Sequence, residues 1–133
     1  MRSLLFAVMI SIGLTGVVRA DESAVRSVIS AQIEAFLAGD VTRAYGYASP
    51  FIQQKFGTPE IFGTMVREGY PMVWRPSDVN FLEIEEIGGR LWQNVLVRDA
   101  GGVAHIVEYE MIEGAEGWKI NGVRVRKAPE SSV

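Results

Sequence analysis

DVNFLEIEEIGGRLWQNVLVRDAGGVAHIVEYEMIEGAEGWKINGVRVRK, residues 78–127, decides the fold of this protein. Apolar and polar side chains alternate along four runs, 78–87, 90–99, 103–112 and 117–127, as half-buried strands require. The runs are joined by the short links GG, AGG and EGAEG, and links of this length favour antiparallel hairpins. The stretch therefore predicts an antiparallel sheet.

The alternation changes phase at two points of this sheet. In the last strand the apolar side chains switch parity at Asn121-Gly122, and in the first strand they switch between Phe81 and Leu82. A bulge or a sharp bend at Asn121-Gly122 would let the apolar residues on both of its sides face the core, and the shift in the first strand suggests a second bend. Because bulges bend and twist a sheet, we expect a curved sheet wrapped around helices.

Helices are predicted ahead of the sheet. The first lies within residues 22–40, because its apolar residues recur at helical period on one face; they are Val25, Val28, Ile29, Ile33, Phe36 and Leu37. Gly39 and Asp40 offer a C-terminal cap and an N-cap, so they predict a corner into a second helix over 41–48. Ser49-Pro50 is expected to end or kink that helix.

A third helix is predicted to start at Thr58-Pro59, which combines a capping hydroxyl with proline at the first helical position. It is expected to end near Gly69. The next stretch, YPMVWRPSD (70–78), has prolines on both sides of two large apolar side chains. It therefore predicts a connector or an edge strand.

The chain begins with a pattern typical of a secretory signal peptide. Arg2 supplies a positive charge, residues 4–18 form an apolar run, and Val18 and Ala20 are the small residues of a cleavage site. The run is shorter than the ~20 apolar residues that span a bilayer. We expect cleavage after Ala20 and no stable membrane insertion of the cleaved protein; an uncleaved membrane anchor is the alternative.

Composition indicates which partners and which cellular compartment suit the chain that remains after removal of residues 1–20. Without residues 1–20, which include Arg2 and Arg19, it has 11 basic and 16 acidic residues, and this acidic balance argues against a nucleic-acid partner. The chain has no cysteine, which favours the bacterial periplasm over the disulfide-rich class of small secreted proteins. We expect one domain over 21–128 and a short polar tail over 129–133.

The order of these elements, with AFLAGDVTRAY (35–45) at the first corner and GWKINGVRV (117–125) at the end, resembles the nuclear-transport-factor-2-like superfamily, also called SnoaL-like. YASPFIQQKFG (47–57) and VWRPSDV (73–79) are similar to a family of small exported bacterial proteins known only as a domain of unknown function. The resemblance covers residues 22–126.

This resemblance implies an α+β fold, an NTF2-like or cystatin-like cone with N-terminal helices packed in a curved antiparallel sheet of about four to five strands. It also implies a pocket at the open end of the cone and a homodimer formed through the sheet. Functions in the superfamily range from isomerases and dehydratases to ligand binding, and a fold alone does not choose among them.

The sequence assigns no catalytic residue, and His105 is the first candidate for an acid or base, with a tyrosine as the other. It shares a strand face with apolar residues, and the unperturbed pKa of histidine is close to neutrality. The alternative is a hydrogen-bonded histidine of the core or rim. Asp40 is better explained as a helix cap than as a base. With one histidine and no cysteine, neither a metal site nor a cofactor is expected.

Charged residues on the strands have a structural explanation. Glu83, Glu85 and Glu86 lie on the first strand, and Glu108 and Glu110 on the third. A paired-carboxylate hydrolase could use such residues, but solvated strand faces explain them more simply. Similarly, the basic residues of the last strand are expected to pair with these acids across strands, with an anionic ligand as the alternative; they are Arg124, Arg126 and Lys127.

The aromatic residues are the main candidates for a binding site. Tyrosine and tryptophan combine an apolar body with a polar tip, which suits a partly wet pocket, although a core or a dimer interface would use them equally. The ligand-binding candidates are Tyr45, Phe56, Tyr70, Trp74, Trp92, His105, Tyr109 and Trp118.

We therefore expect an exported periplasmic protein that binds a small apolar or amphipathic ligand, or a protein partner, in an aromatic-lined cone without catalysis. One alternative is an isomerase- or dehydratase-like enzyme that uses His105 or a tyrosine as acid or base. A structural, envelope-associated interaction protein is the other. An enzyme would require titratable residues that converge in the pocket, whereas an interaction protein would have a filled cone and an exposed apolar patch.

Overall fold

The computed structural model describes residues 21–129, so the predicted signal peptide and residues 130–133 of the predicted tail lie outside it. The helices are α1 (21–37), α2 (Val41–Gly46), α3 (Pro50–Phe56), α4 (Pro59–Gly69) and α5 (Pro71–Trp74). The strands are β1 (Asp78–Ile87), β2 (Arg90–Arg98), β3 (Ala104–Gly114) and β4 (Gly117–Lys127).

The four strands form one antiparallel sheet in the order β1-β2-β3-β4. The predicted α+β fold, with helices packed against an antiparallel sheet, is confirmed. The core lies between the helices and one face of the sheet, here called the inner face. Its fully buried residues include Ile29 and Phe36 from α1, and Val95, Val107 and Tyr109 from the central strands.

Both predicted irregularities are present, and each is a β-bulge. In β1 the register steps from Phe81, opposite Val95, to Ile84, opposite Gln93, which leaves one extra residue on β1. In β4 the extra residue is Asn121, because Glu110 pairs with Gly122 while Met111 pairs with Ile120. Each bulge therefore lets the apolar residues on both of its sides face the core.

Gln93 stabilises the bulge in β1 from the neighbouring strand. Its buried side-chain amide donates from Nε2 to the carbonyl oxygens of Leu82 at 2.9 Å and Glu83 at 3.4 Å. Its Oε1 accepts from Nε of Arg26 on α1 at 3.1 Å. Carbonyl groups that the bulge removes from the strand ladder thus keep their hydrogen bonds.

The predicted corner and the predicted third helix are confirmed. Gly39 has a φ of +73°, which glycine adopts without strain, and Asp40 Oδ1 accepts from the backbone N–H of Arg43 at 3.1 Å. Thr58 Oγ1 accepts from the N–H of Ile61 at 3.2 Å to begin α4. Leu37 departs from its predicted buried stripe, since it is exposed at the end of α1.

One local prediction was wrong. Ser49-Pro50 neither ends nor kinks a helix: α2 already ends at Gly46, and Ser49 caps a new helix, α3, by accepting from the N–H of Ile52 at 3.2 Å. Proline fits the first helical position because it has no N–H to satisfy there. For the same reason Pro71 starts the short helix α5 within residues 70–78. This stretch joins α4 to β1, so of the two predicted alternatives it is the connector and not the edge strand. No helix within residues 21–129 is long and apolar enough to span a membrane.

Candidate functional site

A cavity of about 230 Å³ lies between the helices and the last strand. Its walls come from five parts of the chain: α1, α3 with the preceding Ala48, α4, Val73 of α5, and the bulged part of β4. Five of its lining residues are aromatic, namely Phe36, Phe51, Phe56, Phe62 and Tyr70. Phe51 is 61% exposed and marks the mouth, whereas Phe36 is fully buried at the inner end. Hereafter this space is called the cavity.

The helix α3 forms the outer wall of the cavity without being buried itself. Phe51, Ile52, Lys55 and Phe56 line the cavity, and their spacing of one helical turn puts them on one face of α3. None of the residues of α3 is buried. Ile52 and Phe56 pack against the core from this wall, and side-chain hydrogen bonds also hold the helix in place.

Tyr45 and Gln53 supply those hydrogen bonds. The Tyr45 hydroxyl donates to the carbonyl oxygen of Gln53 at 2.5 Å, and Gln53 Nε2 donates back to the carbonyl oxygen of Tyr45 at 3.0 Å. Gln53 Nε2 also donates to the carbonyl oxygen of Ala48 at 3.1 Å. The reciprocal pair attaches α3 to the end of α2. Tyr45 thus anchors the wall of the cavity and does not line it.

Asn121 brings a polar group into the apolar lining. The bulge turns this residue toward the cavity, where its Oδ1 accepts from Ser49 Oγ at 2.7 Å. Its Nδ2 donates to Glu110 Oε1 at 2.9 Å, and Glu110 in turn pairs with Arg90 at 3.5 Å. A chain of polar contacts therefore runs from buried Ser49 through the sheet to charged residues on the opposite face.

Of the predicted ligand-binding residues, the structure brings Phe56 and Tyr70 together in the cavity. The ring of Trp74 packs on that of Phe36 at a centroid distance of 5.5 Å. The guanidinium carbon of Arg75 lies 4.7 Å from the centroid of the Trp74 ring. Trp118 packs against the core and borders a separate groove near the β1-β2 hairpin.

Trp92 lies on the outer face of the sheet. The guanidinium of Arg124 is 4.0 Å from its ring centroid, and Arg124 also pairs with Glu108 at 3.4 Å. Arg126 pairs with the second oxygen of Glu108 at 3.6 Å. The predicted cross-strand pairing is therefore confirmed for Arg124 and Arg126. Glu83 and Glu85 each accept a hydrogen bond from the Nδ2 of Asn94. The hydrogen bond to Glu83 lowers the pKa of that carboxyl group.

Tyr109 is completely buried in the centre of β3. Its hydroxyl has no hydrogen-bond partner among the described residues, and burial raises the pKa of the phenol. It does not line the cavity, but its partner across the sheet, Val123, does.

His105 lies at the start of β3 and is hydrogen-bonded to Asp99 in the β2-β3 turn. Its Nε2 is 3.0 Å from Asp99 Oδ2, while Asp99 Oδ1 accepts from the N–H groups of Gly101 at 3.0 Å and Val103 at 2.9 Å. The hydrogen bond from His105 and those from the two N–H groups lower the pKa of Asp99. Thus the histidine supports the β2-β3 turn, and it is not among the residues lining the cavity. Within residues 21–129, no three potential ligands group around a point that could hold a metal ion.

Several cavity residues escaped prediction from the sequence. Gln32, Lys55, Met65, Asn121 and Val123 all line the cavity. For Lys55 a signal existed, because Ser49-Pro50 starts a helix and the spacing of Phe51, Ile52, Lys55 and Phe56 then fits one face. No comparable signal exists for Gln32 and Asn121, since their positions depend on packing between distant elements.

Comparison with known proteins identifies a family and a fold. The family described as "Domain of unknown function (DUF4864)" matches residues 18–133. No curated protein matches the chain. A crystal structure of a domain of unknown function with a cystatin-like fold, from Nostoc punctiforme PCC 73102, is 17% identical, and the match covers 85% of this chain and 80% of that chain with a TM-score of 0.58. At this identity the similarity establishes the cystatin-like fold alone.

Proposed function

We propose that this chain, which belongs to the DUF4864 family of unknown function, binds a small apolar or amphipathic ligand in the cavity and does not catalyse a reaction on it. One observation carries the proposal: rings from three helices surround an interior space of about 230 Å³ that opens to solvent beside Phe51. Pockets with mostly apolar walls and a few polar groups are typical of small-molecule binding.

The volume of the cavity limits the ligand. Pockets for drug-sized molecules usually measure about 300–1,000 Å³, and this one is smaller. The rings at the inner end already pack on one another, with 5.9 Å between the centroids of Phe36 and Phe62 and also between those of Phe56 and Phe62. We therefore propose a short ligand that lies against these rings.

The chemistry of the lining supports binding over catalysis. Lys55 and Tyr70 are the only titratable side chains among the described residues that line the cavity. An enzyme of the isomerase or dehydratase type requires acids and bases that converge on the substrate. The pair formed by His105 and Asp99 lies elsewhere, at the β2-β3 turn.

The cellular setting belongs to the same proposal. The signal-like pattern of residues 1–20 supports export to the bacterial periplasm, with Asp21 as the first residue of the cleaved protein. We further propose that the fold is a cone of the nuclear-transport-factor-2-like type and that the protein is a homodimer.

Native mass spectrometry of the protein purified from a bacterial periplasm tests the proposed binding. We expect a bound mass of a small molecule that disappears on denaturation. The variant Met65→Trp should reduce the bound fraction at least ~10-fold, because the larger side chain fills the space that the ligand occupies.

The control is Met72→Trp. Met65 and Met72 are both half-buried methionines packed against the core, but only Met65 lines the cavity. Circular dichroism would establish that both variants fold. If both variants keep the bound mass, or if the wild-type protein carries none and binds no added amphiphile, the proposed function is wrong.

A further inference from the structure

Lys55 is the only charged side chain among the described residues that line the cavity. It lies one helical turn after Phe51, at the exposed mouth, and its ammonium is 5.7 Å from the ring centroid of Phe56. Within residues 21–129, no carboxylate forms an ion pair with it. The mouth of the cavity therefore has a positive charge that no acidic residue of the described chain neutralises.

The other polar side chains of the lining are Gln32, Tyr70 and Asn121, and each can donate hydrogen bonds. Gln32 already donates to the carbonyl oxygen of Ala44 at 3.1 Å. Asn121 uses its Oδ1 to accept from Ser49 and one N–H to bond Glu110, which leaves its second N–H. Tyr70 contributes a hydroxyl, and Lys55 contributes up to three N–H donors. A group that only accepts hydrogen bonds and carries negative charge matches these donors, and a carboxylate is such a group.

From these observations we infer that the ligand is a medium-chain amphipathic carboxylate, with its acid group held at the mouth by Lys55 and its apolar tail against Phe36, Phe56 and Phe62. This inference rests on the proposed function. A cavity of about 230 Å³ holds roughly eight groups of the ~30 Å³ that a water molecule occupies in the liquid. An eight-carbon chain is therefore a suitable length.

Because Lys55 lies at the exposed mouth, it can bind a carboxylate at a low desolvation cost. At an exposed mouth the carboxylate keeps part of its hydration, so the desolvation cost that opposes a buried ion pair is small. The formal net charge of the whole chain is −3, which repels anions at long range. A preference for an anionic ligand must therefore come from the local charge of Lys55.

Calorimetric titration with octanoate and with 1-octanol tests the inference. These probes share the tail and differ in the charge of the head group. We expect octanoate to bind wild-type protein about 5-fold more tightly than 1-octanol, as for one partly exposed ion pair. In Lys55→Met the preference should vanish, because affinity for octanoate falls while affinity for 1-octanol stays the same.

The matched control is Lys127→Met, which removes the same charge from an exposed site at the end of β4, outside the cavity lining. This variant should keep the preference for octanoate. Equal binding of the two probes by wild-type protein would overturn the inference but leave the proposed function intact, and so would an equal loss of preference in both lysine variants. If neither probe binds and no mass is released on denaturation, the proposed function fails as well.

Discussion

At the scale of single residues, Gly63 determines how closely α2 and α4 approach. A Cβ atom at this position would lie 2.5 Å from Cγ1 of Val41 and 3.1 Å from its Cβ. Such a contact forces either the side chain or the helix to move. Glycine is therefore required here for close packing and not for a special backbone conformation, since its φ is not positive.

We predict that Gly63→Ala destabilises the protein by about 1–3 kcal/mol, the usual cost of overpacking a core. Gly69→Ala in the same helix is the control, because no atom lies within 4 Å of the added Cβ. Urea denaturation measures both variants. Adding Val41→Ala to Gly63→Ala should recover most of the loss, and a Gly63→Ala protein as stable as wild type would contradict this explanation.

Asp99 makes the stability of the β2-β3 turn depend on pH. The hydrogen bond with His105, together with those from Val103 and Gly101, lowers its pKa in the folded protein. An acid with a lowered folded pKa stabilises the protein at pH values above its unfolded pKa of about 3.9. That contribution is lost as the pH falls through the folded value.

We therefore expect Asp99→Asn to lower the Tm at pH 6 and the difference from wild type to shrink as the pH drops below about 4. Thermal melts between pH 2 and pH 7 provide the measurement. Asp78→Asn, at the start of β1, controls for the loss of one carboxylate. A Tm difference for Asp99→Asn that is constant over this pH range would rule out the linkage.

Among the helices, α3 is solvent-exposed and yet forms one wall of the cavity. Short helices are unstable in isolation, and α3 has seven residues, none of them buried. Its capping by Ser49 and the reciprocal bonds between Tyr45 and Gln53 hold it in place. We expect this helix to be among the first parts of the domain to open.

We predict that Gln53→Leu increases hydrogen exchange of the α3 amides about 10-fold, because two side-chain hydrogen bonds are lost, one to Tyr45 in α2 and one to Ala48 after it. Exchange in the long central strands should change little. Gln54→Leu alters an exposed neighbour that makes no such bonds and serves as the control. Uniformly faster exchange over the whole domain would show that Gln53 contributes to global stability and does not specifically anchor α3.

At the scale of the whole molecule, export and dimerisation are predicted together. For protein recovered from an expressing bacterium, we expect an intact mass that begins at Asp21 and a native mass twice that of the cleaved chain. Mass spectrometry under denaturing and native conditions measures both. A chain that begins at Met1 would contradict cleavage, and a monomer at micromolar concentration would contradict the dimer.

Local sequence patterns located the four strands, their buried faces and most helix ends. Alternation with period two located all four strands, and its two changes of phase located both bulges, because a side chain on a strand can face only one of two sides. Gly39, Asp40 and Thr58 identified helix ends through bonds made within a few residues. Ser49-Pro50 was misjudged, because the same dipeptide that ends one helix can begin the next.

Only the tertiary structure decided which aromatic residues share a space. Phe56 and Tyr70 meet in the cavity, whereas Trp92 faces the opposite side of the sheet and Tyr109 lies within the core. Periodicity assigns a residue to a face of its own element, but it does not say which element packs against that face. That depends on strand register and helix placement, which are set by contacts between residues far apart in the chain.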